Sequence, residues 1–397
     1  FIEELQLPTP DRGFKVRAYS PGLQTGRIIA LMERVIKEVK PNVVLVEGDT
    51  DSATGVAIAS SRLGIPLGHV EAGCRSYDRS MPEETNRMMI ADLASFNFAP
   101  TQTTVRNLLR EGVIISNIYL TGHPLVQMLK DFIPLASKSK ILTKLAIGPR
   151  DYVLATVHRW ENIQSRSRLR SILRTLEMLD RPVVLPVHPH TSKQIRRLGL
   201  RNLIRRTKTV RPVGYLDMIS LTRNAFAVLT DSGGLQQEAA LLHTPCLTLR
   251  YNTEWVETVQ HGVNMLVGAA TRAILRGYAY TKSHYNLLES KFSSASKAFG
   301  DEHASERIVS ALCHRPRRVD PFSNHLRDGL PTTRILNVRR NSVSFRELRP
   351  FTEVINMTFD SKGWLVPLSK STTMKKGLRI VTFGPKQSIE KIKLIVA

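Results

Sequence analysis

The chain has 397 residues, which is enough for two domains and a small additional segment. Hydrophobic residues make up 42% of it, but no stretch approaches the roughly 18–20 continuous apolar residues that a membrane-spanning helix needs. Three cysteines, Cys74, Cys246 and Cys313, have no CxxC spacing and leave an odd count. We therefore expect a cytoplasmic protein without membrane association, and no disulfide framework.

The formal net charge of +23 comes from 57 Lys and Arg against 34 Asp and Glu. Residues 313–397 hold 17 of those basic residues and only 6 of the acidic ones, so a basic C-terminal segment supplies nearly half of the excess. Clustered Lys and Arg can bind nucleic acid, but the sequence has no zinc finger, RNA-recognition signature or basic leucine zipper. We expect no specific nucleic-acid partner, although a positive surface would attract anionic ligands.

Short apolar runs alternate with amphipathic segments, a pattern typical of parallel sheets covered by helices. In the first half, helices are predicted over 24–39, 51–63 and 82–94, and strands over 42–46, 65–70, 95–100 and 117–121. A second series starts near residue 150, with strands over 152–156, 183–187, 228–230 and 246–249 and an amphipathic helix over 297–312.

We therefore predict an α/β protein with two Rossmann-like domains that share a cleft at the C-terminal ends of their strands. The predicted segments are a first domain over 1–140, a nucleotide-binding domain over 141–296, a closing helix over 297–312, a basic connector without a recognisable motif over 313–373, and a final segment over 374–397.

The segment TDSGGLQQE, residues 230–238, joins an apolar strand to a helix. Gly233 and Gly234 let the backbone approach a ligand closely, and the N–H groups and dipole of the helix N-terminus favour a phosphate. Ser232 can donate a further hydrogen bond, and Glu238 could accept hydrogen bonds from ribose hydroxyls. A simple capped turn is the alternative for this motif alone.

Two segments place acids and arginines at one edge of the first predicted sheet: HVEAGCRS, residues 69–76, leaves a strand, and MPEETNR, residues 81–87, opens a helix. Such a cluster suits proton transfer from carbon, because neighbours and burial raise carboxyl pKa values. Charge that complements a helix N-terminus is the alternative for Glu83 and Glu84, and we favour it for Glu84. His69 is expected to be an ordinary core histidine.

Two polar residues follow other predicted strands. Asp49 lies where doubly wound sheets place functional groups, unless it caps the next helix. His158 could contact a diphosphate or transfer a proton; alone, it would be interpreted as an ordinary loop histidine.

Two later segments carry further candidates. His188 and His190 suggest a metal site, but no Cys or acid has metal-ligand spacing around them, so we expect no zinc. In RYNTEWVE, residues 250–257, Arg250 could meet a phosphate and Glu254 a sugar hydroxyl. A solvated surface loop is the alternative for that segment.

Taken together and in this order, these groups resemble the non-hydrolysing UDP-N-acetylglucosamine 2-epimerases. The match runs from Phe1 to about Leu312 and rests on GDT at 48–50, HVEAG-R at 69–75, PEE-NR at 82–87, HR-EN at 158–162, HP-T at 188–191 and DSGG-Q-E at 231–238. The resemblance implies two facing domains of the glycosyltransferase-B architecture, a homodimer, and neither a metal nor a redox cofactor.

The resemblance also implies a chemistry and a site. Enzymes of this family abstract the proton at C2 of the sugar, expel UDP to give a glycal, and add UDP back with the opposite C2 configuration. By position, the catalytic residues would be Asp49, Glu71, Glu83 and His158, and which acid takes which step stays open. The residues that bind UDP-N-acetylglucosamine or UDP would be Arg75, Arg87, His188, Ser232, Gly233, Gly234, Glu238, Arg250 and Glu254.

The sequence departs from the family pattern in several places. The family opens with a strand and a GTRPE-type turn, and on this pattern roughly 40 residues, about one βαβ unit, are absent before Phe1. Residues 374–397 resemble that opening, with a predicted strand over 378–383 and helix over 388–396, so we hypothesise a circular permutation. A chance strand–turn–helix is the alternative.

Smaller departures occur within the matched region. His123 stands where the family often has Asn, and Gln237 where it often has Glu. Trp255 and Val256 replace an Arg-Pro pair, which weakens the case for Glu254.

Two other functions compete with this interpretation. A glycosyltransferase of the same architecture would share the nucleotide site but has no chemical need for Asp49, Glu71 and Glu83. A non-catalytic nucleotide-sugar-binding remnant would fit the incomplete opening but would not explain the intact acids.

Overall fold

The computed structural model describes residues 2–16 and 19–313, together with the backbone of six later strands. The chain divides into two compact units, Phe1–Arg315 and Pro316–Ala397. In the described residues no helix combines the length and the apolar character needed to cross a membrane.

The first sheet of the larger unit is parallel, with four strands in the order β1-β2-β3-β4. Its strands are β1 (Val44–Glu47), β2 (Leu67–Val70), β3 (Phe96–Ala99) and β4 (Ile118–Leu120). The helices before and between them are α1 (Pro21–Val39), α2 (Asp51–Arg62), α3 (Pro82–Leu93) and α4 (Gln102–Arg110), with a 3-10 turn at Ile115–Asn117. Strand β1 forms one edge of this sheet, where Leu45 is 48% exposed.

The second sheet is also parallel, with six strands in the order β10-β9-β8-β5-β6-β7. Its strands are β5 (Val153–Thr156), β6 (Val183–Pro186), β7 (Lys208–Val210), β8 (Ala227–Thr230), β9 (Cys246–Thr248) and β10 (Asn264–Leu266). The accompanying helices are α5 (Pro124–Ala136), α6 (Ile141–Lys144), α7 (Trp160–Gln164), α8 (Arg166–Met178), α9 (Pro189–Arg197), α10 (Tyr215–Asn224), α11 (Gly233–Leu241), α12 (Val256–Gln260), α13 (Thr271–Ser283), α14 (Tyr285–Lys297) and a 3-10 turn at Arg201–Ile204.

Both sheets form because helices cover their two faces. Strands β5 and β8 are central, and their apolar residues are fully buried among helices on either side, as expected for uninterrupted apolar runs in a parallel sheet. Two Rossmann-like domains in an α/β fold are therefore confirmed, with the strand boundaries shifted from the predicted ones by one or two residues.

A final helix of this unit, α15 (Ala304–Cys313), returns to the first sheet. Its Ile308 packs with Phe96 and Phe98. The prediction of one helix over 297–312 is wrong, because α14 ends at Lys297 and α15 begins only at Ala304. Gly300 has a φ of +89°, a backbone conformation that favours glycine and lets the chain turn. Because glycine has no side chain, Gly300 can also pack closely on Gly122; a Cβ at position 300 would lie 2.9 Å from the Gly122 Cα.

The smaller unit contains an antiparallel sheet in the order β11-β16-β13-β14 and a separate strand pair, β12 with β15. Its strands are β11 (Thr332–Asn337), β12 (Ser342–Ser344), β13 (Ile355–Phe359), β14 (Leu365–Pro367), β15 (Thr373–Lys375) and β16 (Arg379–Gly384). Several of them fall in residues 313–373, a segment in which no motif is recognisable.

The structure corrects the permutation hypothesis. A strand at 378–383 was expected, and β16 is there, but antiparallel partners occupy both of its edges, β11 on one side and β13 on the other. A strand with both edges paired in this way is not the opening strand of a parallel Rossmann sheet. The helix predicted over 388–396 lies outside the described residues.

Candidate active site

Polar side chains follow the C-terminal ends of strands in both parallel sheets. Asp49 follows β1, Glu71 follows β2, His158 follows β5 and His188 follows β6. The carboxyl ends of parallel strands meet at one edge of a sheet, where doubly wound proteins bind ligands. The two edges face each other across one cleft, because ion pairs join Glu83 to Arg159 and Arg87 to Glu254 between the two domains.

Asp49 is held by an arginine from α3. Its Oδ2 lies 2.5 Å from Nη2 of Arg87, and its carbonyl accepts a hydrogen bond from the Asn86 side chain at 2.9 Å. Burial raises the pKa of Asp49 above its ordinary value, with Arg87 acting in the opposite direction. The alternative of a helix cap is excluded, because the cap of α2 is Thr50, whose Oγ1 accepts from the N–H of Ala53 at 3.1 Å.

Glu71 occupies a strained position directly after β2. Its φ is +68°, a left-handed conformation that costs a non-glycine residue of order 1 kcal/mol and that is concentrated at functional sites. Burial, followed by repulsion from Asp49 and Glu47, raises the pKa of Glu71 to about 8, with Arg87 opposing. About a fifth of its side chain is still exposed.

Glu83 crosses the cleft to the second domain. Its Oε1 accepts a hydrogen bond from Nη1 of Arg159 at 2.9 Å. Arg159 directly follows His158, so this bond ties the start of α3 to the end of β5. Glu83 therefore also contacts the second domain and does more than complement the N-terminus of α3.

Glu254 is surrounded by arginines from both domains. Its carboxylate lies 2.9 Å from Arg250 and 3.8 Å from both Arg87 and Arg159. Burial alone would raise the pKa of Glu254, but Arg250 and Arg87 lower it below its ordinary value. Its position in the cleft fits the expectation of a binding residue, while its contacts indicate that it orders arginines rather than meeting a sugar hydroxyl directly.

His158 is positioned by an acid that is completely buried. The backbone N–H of His158 donates to Asp231 Oδ1 at 3.0 Å, and its Nδ1 lies 3.2 Å from the same oxygen. Asp231 also accepts from the N–H of Arg159 and from the Asn162 side chain. About 43% of the His158 side chain is exposed. Asp231 therefore orients the imidazole from inside the domain, while the rest of the ring remains accessible.

A cavity of about 360 Å³ opens beside His158 in the second domain. The candidate nucleotide residues that line it are His188, Ser232, Gly234 and Glu238. Ser232 caps α11, and its Oγ accepts from the N–H of Leu235 at 3.4 Å, so the turn presents a helix N-terminus to the cavity. This geometry suits a phosphate group.

Glycine is required at position 233 for a specific reason. A Cβ added there would lie 2.1 Å from Oε1 of Glu254, whereas the nearest atom to one added at Gly234 is 4.0 Å away. The turn and the arginine-bound Glu254 therefore pack directly on each other, and Gly234 faces open space.

Glu238 lines the same cavity. Its Oε1 accepts a hydrogen bond from the hydroxyl of Tyr215 at 3.0 Å. Burial raises the pKa of Glu238 to about 7, with Tyr215 opposing. Tyr215 was not singled out from the sequence, because nothing in its local pattern distinguishes it from an ordinary helix residue.

The structure does not bring Arg75 into this cluster. Its buried guanidinium forms two bonds to Glu111, at 2.8 and 2.6 Å, and a third to the carbonyl of Cys74. An arginine neutralised in this way stabilises the loop after β2 instead of binding a phosphate.

Two neighbouring residues also have structural roles. Glu84 lies in the first turn of α3, as expected for a charge at a helix N-terminus, and it also accepts hydrogen bonds from the backbone of Ser76 and Tyr77 and from Arg87. His69 is buried with Nε2 2.9 Å from the carbonyl of Gly48, as expected of a core histidine.

Arg159 and Asp231 were overlooked as site residues, although both lie in the quoted motifs. Arg159 stands beside His158 in the HR-EN motif, and Asp231 opens DSGG-Q-E. The available signal was position: each follows a strand at the same sheet edge. Their partners are 69 or more residues away in sequence, and sequence alone does not reveal such contacts.

Arg250 is the clearest candidate for a contact with an anion. Its Nη1 is buried and has no hydrogen-bond partner among the described residues, while its Nε and Nη2 bond to Asn252. A buried guanidinium nitrogen without a partner is costly, so a ligand oxygen would be a favourable addition here.

Two facing Rossmann-like domains, a helix that returns to the first sheet, a phosphate-type turn and opposed carboxyl groups define a nucleotide-sugar enzyme of the glycosyltransferase-B architecture. The family model described as UDP-N-acetylglucosamine 2-epimerase matches residues 1–313. The chain therefore belongs to the UDP-N-acetylglucosamine 2-epimerase family, and the resemblance found in its motifs is confirmed.

Individual relatives agree with this assignment. A UDP-N-acetylglucosamine 2-epimerase homolog of Methanococcus maripaludis is 41% identical over 321 residues, which cover 79% of this chain and 87% of the relative. A UDP-N-acetylglucosamine 2-epimerase of Methanocaldococcus jannaschii is 36% identical over 324 residues, with the same coverage. A UDP-2,3-diacetamido-2,3-dideoxy-D-glucuronate 2-epimerase of Pseudomonas aeruginosa is 38% identical, covering 79% of this chain and 86% of the relative.

Solved structures give the same result. The structure of the Methanocaldococcus jannaschii enzyme in complex with UDP-GlcNAc and UDP superposes with a TM-score of 0.71 at 36% identity, covering 79% of this chain and 87% of that one. The Neisseria meningitidis enzyme bound to UDP-GlcNAc also has a TM-score of 0.71, at 28% identity, covering 79% of this chain and 88% of that one.

Proposed function

We propose that this chain interconverts UDP-N-acetylglucosamine and UDP-N-acetylmannosamine in the cleft between its two parallel sheets. The observation that carries this proposal is the joining of acids from the first domain to the nucleotide domain: Asp49 to Arg87, Arg87 to Glu254, and Arg159 to Glu83. The homodimer and the cytoplasmic location that the resemblance implies are part of the same proposal.

The reaction sets the requirements for the site. A base removes the proton at C2, a double bond forms between C1 and C2, and the C1–O bond breaks so that UDP leaves with the bonding electrons. UDP then adds back at C1 while an acid returns a proton to the opposite face of C2. The site must therefore hold one group able to accept a proton, another able to give one, and donors for the departing diphosphate.

The acids of this cleft are in different environments, as such a pair requires. Burial raises the pKa of Glu71 to about 8, so at neutral pH Glu71 holds a proton that it can donate. Glu83 instead accepts a hydrogen bond from the Arg159 guanidinium across the cleft. We assign the proton exchange at C2 to these two residues and to Asp49.

The departing UDP would be received on the second domain. His158, oriented by Asp231, faces the cavity that also contains Ser232 and Gly234. Donors at a helix N-terminus stabilise the negative charge that develops on a leaving diphosphate. Arg250, whose Nη1 has no hydrogen-bond partner in the described part of the chain, is the arginine we assign to that charge.

The Pseudomonas relative, whose name specifies a diacetamido-glucuronate sugar, defines the main question about the substrate. We propose the N-acetylglucosamine nucleotide because the family model and the other two relatives carry that name. A glycosyltransferase of the same architecture would not need the three acids, so we set that alternative aside.

The test is to incubate UDP-N-acetylglucosamine with the whole chain and to follow the anomeric protons by NMR. We expect UDP-N-acetylmannosamine to accumulate to equilibrium, and Glu83→Gln to slow this by about 100-fold or more, the usual contribution of a general acid or base. Glu306→Gln is the matched control, because that side chain is 71% exposed on α15, and its rate should equal that of the wild type. A folded wild-type protein that makes no UDP-N-acetylmannosamine would refute the proposal.

A further inference from the structure

A histidine outside the assigned site lies against Glu71. His123 connects β4 to α5 and is 5% exposed. Its Nδ1 accepts a hydrogen bond from the N–H of Leu125 at 3.0 Å, so Nδ1 carries no proton. In a neutral imidazole the proton is then on Nε2. The fold has therefore fixed the tautomer of this ring.

The ring is also fixed in orientation. The indole of Trp255 lies 5.3 Å from the imidazole and the ring of Phe299 lies 6.2 Å from it, measured between centroids. The backbone N–H of His123 donates to the carbonyl of Phe299 at 2.8 Å. Contacts on both the backbone and the ring leave the Nε2–H pointing in one direction.

That Nε2–H has no hydrogen-bond partner among the described residues, although it is buried. Oε2 of Glu71 lies 3.7 Å from Nε2, about 0.7 Å beyond an ordinary hydrogen bond. An unpaired buried donor is unfavourable, and catalytic hydrogen bonds that are long in an empty site often shorten when the substrate binds.

We propose that His123 is a positioning residue that donates its Nε2–H to Glu71 and holds that carboxyl in line with C2 of the sugar. This role rests on the proposed function, in which Glu71 exchanges the C2 proton. The role adds a residue from the segment between β4 and α5 to the site. The packing of Trp255 on the imidazole would then serve to hold the ring in place.

Other charges also face Glu71. Glu47 ends β1 and Asp49 follows it, Arg87 belongs to α3, and Glu254 precedes α12. The buried thiol of Cys74 lies on the loop after β2 that also contains Glu71. Burial lowers the pKa of His123 to about 4, so the ring is neutral over the working range. His123 therefore acts as a fixed donor and does not itself titrate in the pH profile.

Removal of this donor has an effect of known sign. A hydrogen bond donated to a carboxylate favours the charged form and lowers the pKa of the carboxyl. Without the Nε2–H, the pKa of Glu71 rises. The limb of the pH–rate profile that Glu71 controls must then move to higher pH, whether Glu71 acts as the base or as the acid.

Two variants separate positioning from stability. His123→Ser retains a residue suited to capping α5 but loses the ring packed on Trp255. His123→Phe retains an aromatic ring there but loses the cap. Both lack the Nε2–H, whereas their structural defects differ.

For both variants we expect kcat to fall about 10-fold to 100-fold, the usual range for a hydrogen bond to a charged group, with KM changed less than about twofold. The limb of the kcat profile that disappears in Glu71→Gln should shift to higher pH in both. If the wild type is active, both variants are folded and neither the limb nor kcat changes, the role of His123 is refuted while the proposed function stands. A wild type that makes no UDP-N-acetylmannosamine would refute the proposed function, and this role with it.

Discussion

Glu238 links the stability of the fold to pH through a single buried carboxyl. Burial raises its pKa to about 7, above the value of about 4.3 expected in an unfolded chain. Between those two values the unfolded state has released a proton that the folded state still holds. The folded state is therefore penalised progressively as pH rises through this window, and by a constant amount above it.

Glu238→Gln should remove that penalty while leaving an amide oxygen to accept from Tyr215. We expect the unfolding temperature of the variant, relative to wild type, to rise as pH increases from about 4 to 7 and then to level off. Thermal unfolding monitored by circular dichroism in the absence of ligand measures this. Glu306→Gln should show no such trend, and a pH-independent difference for Glu238→Gln would contradict the account.

The catalytic candidates could be found from the sequence because each follows an apolar strand, where a doubly wound sheet exposes its functional groups. Asp49, Glu71 and His158 are candidates on this ground, and the resemblance to the family selects them as catalytic. Arg75 was wrongly placed in the site because its partner, Glu111, lies 36 residues further on. Contacts between distant segments depend on packing, and a single sequence does not reveal them.

At the scale of elements, α15 is where sequence reasoning about one helix failed and packing decided the outcome. The amphipathic pattern over 297–312 continues across a turn at Gly300, which the sequence pattern alone does not interrupt. The structure instead uses that turn to direct α15 onto the first sheet, where Ile308 is buried beside Phe96 and Phe98.

Two adjacent residues of α15 test this packing. Ile308 is 5% exposed, whereas Val309 is 58% exposed. Ile308→Ala should lower the free energy of unfolding by about 2–4 kcal/mol, since it deletes buried methyl groups and leaves a cavity, while Val309→Ala should change it by less than about 0.5 kcal/mol. Chemical denaturation measures both, and equal effects would refute the packing of α15 on the first sheet.

At the scale of the whole molecule, the site exists only where the two domains face each other. The acids that would handle the C2 proton come from the first sheet, and the cavity suited to the nucleotide comes from the second. The two-domain arrangement could be predicted because two βα series follow one another along the chain. The antiparallel strands of the smaller unit could not, because their short runs lie in a basic segment without a clear period.

The interdomain ion pairs also explain why the motifs are spread over most of the matched region. Glu83 and Arg159 are 76 residues apart, and Arg87 and Glu254 are further apart still. A reaction that moves a proton between the two faces of C2 and breaks the adjacent C1–O bond needs both acid–base groups and donors for the departing diphosphate. Two facing sheet edges supply them.

The central claim is that epimerisation proceeds by exchange of the C2 proton with a protein carboxyl, and one measurement tests it directly. UDP-N-acetylglucosamine is incubated with the wild-type chain in D2O, and both nucleotide sugars are examined by NMR and mass spectrometry. We predict UDP-N-acetylmannosamine that carries deuterium at C2, together with gradual deuteration of the remaining UDP-N-acetylglucosamine at the same carbon. Formation of UDP-N-acetylmannosamine that retains its original C2 proton would contradict the account.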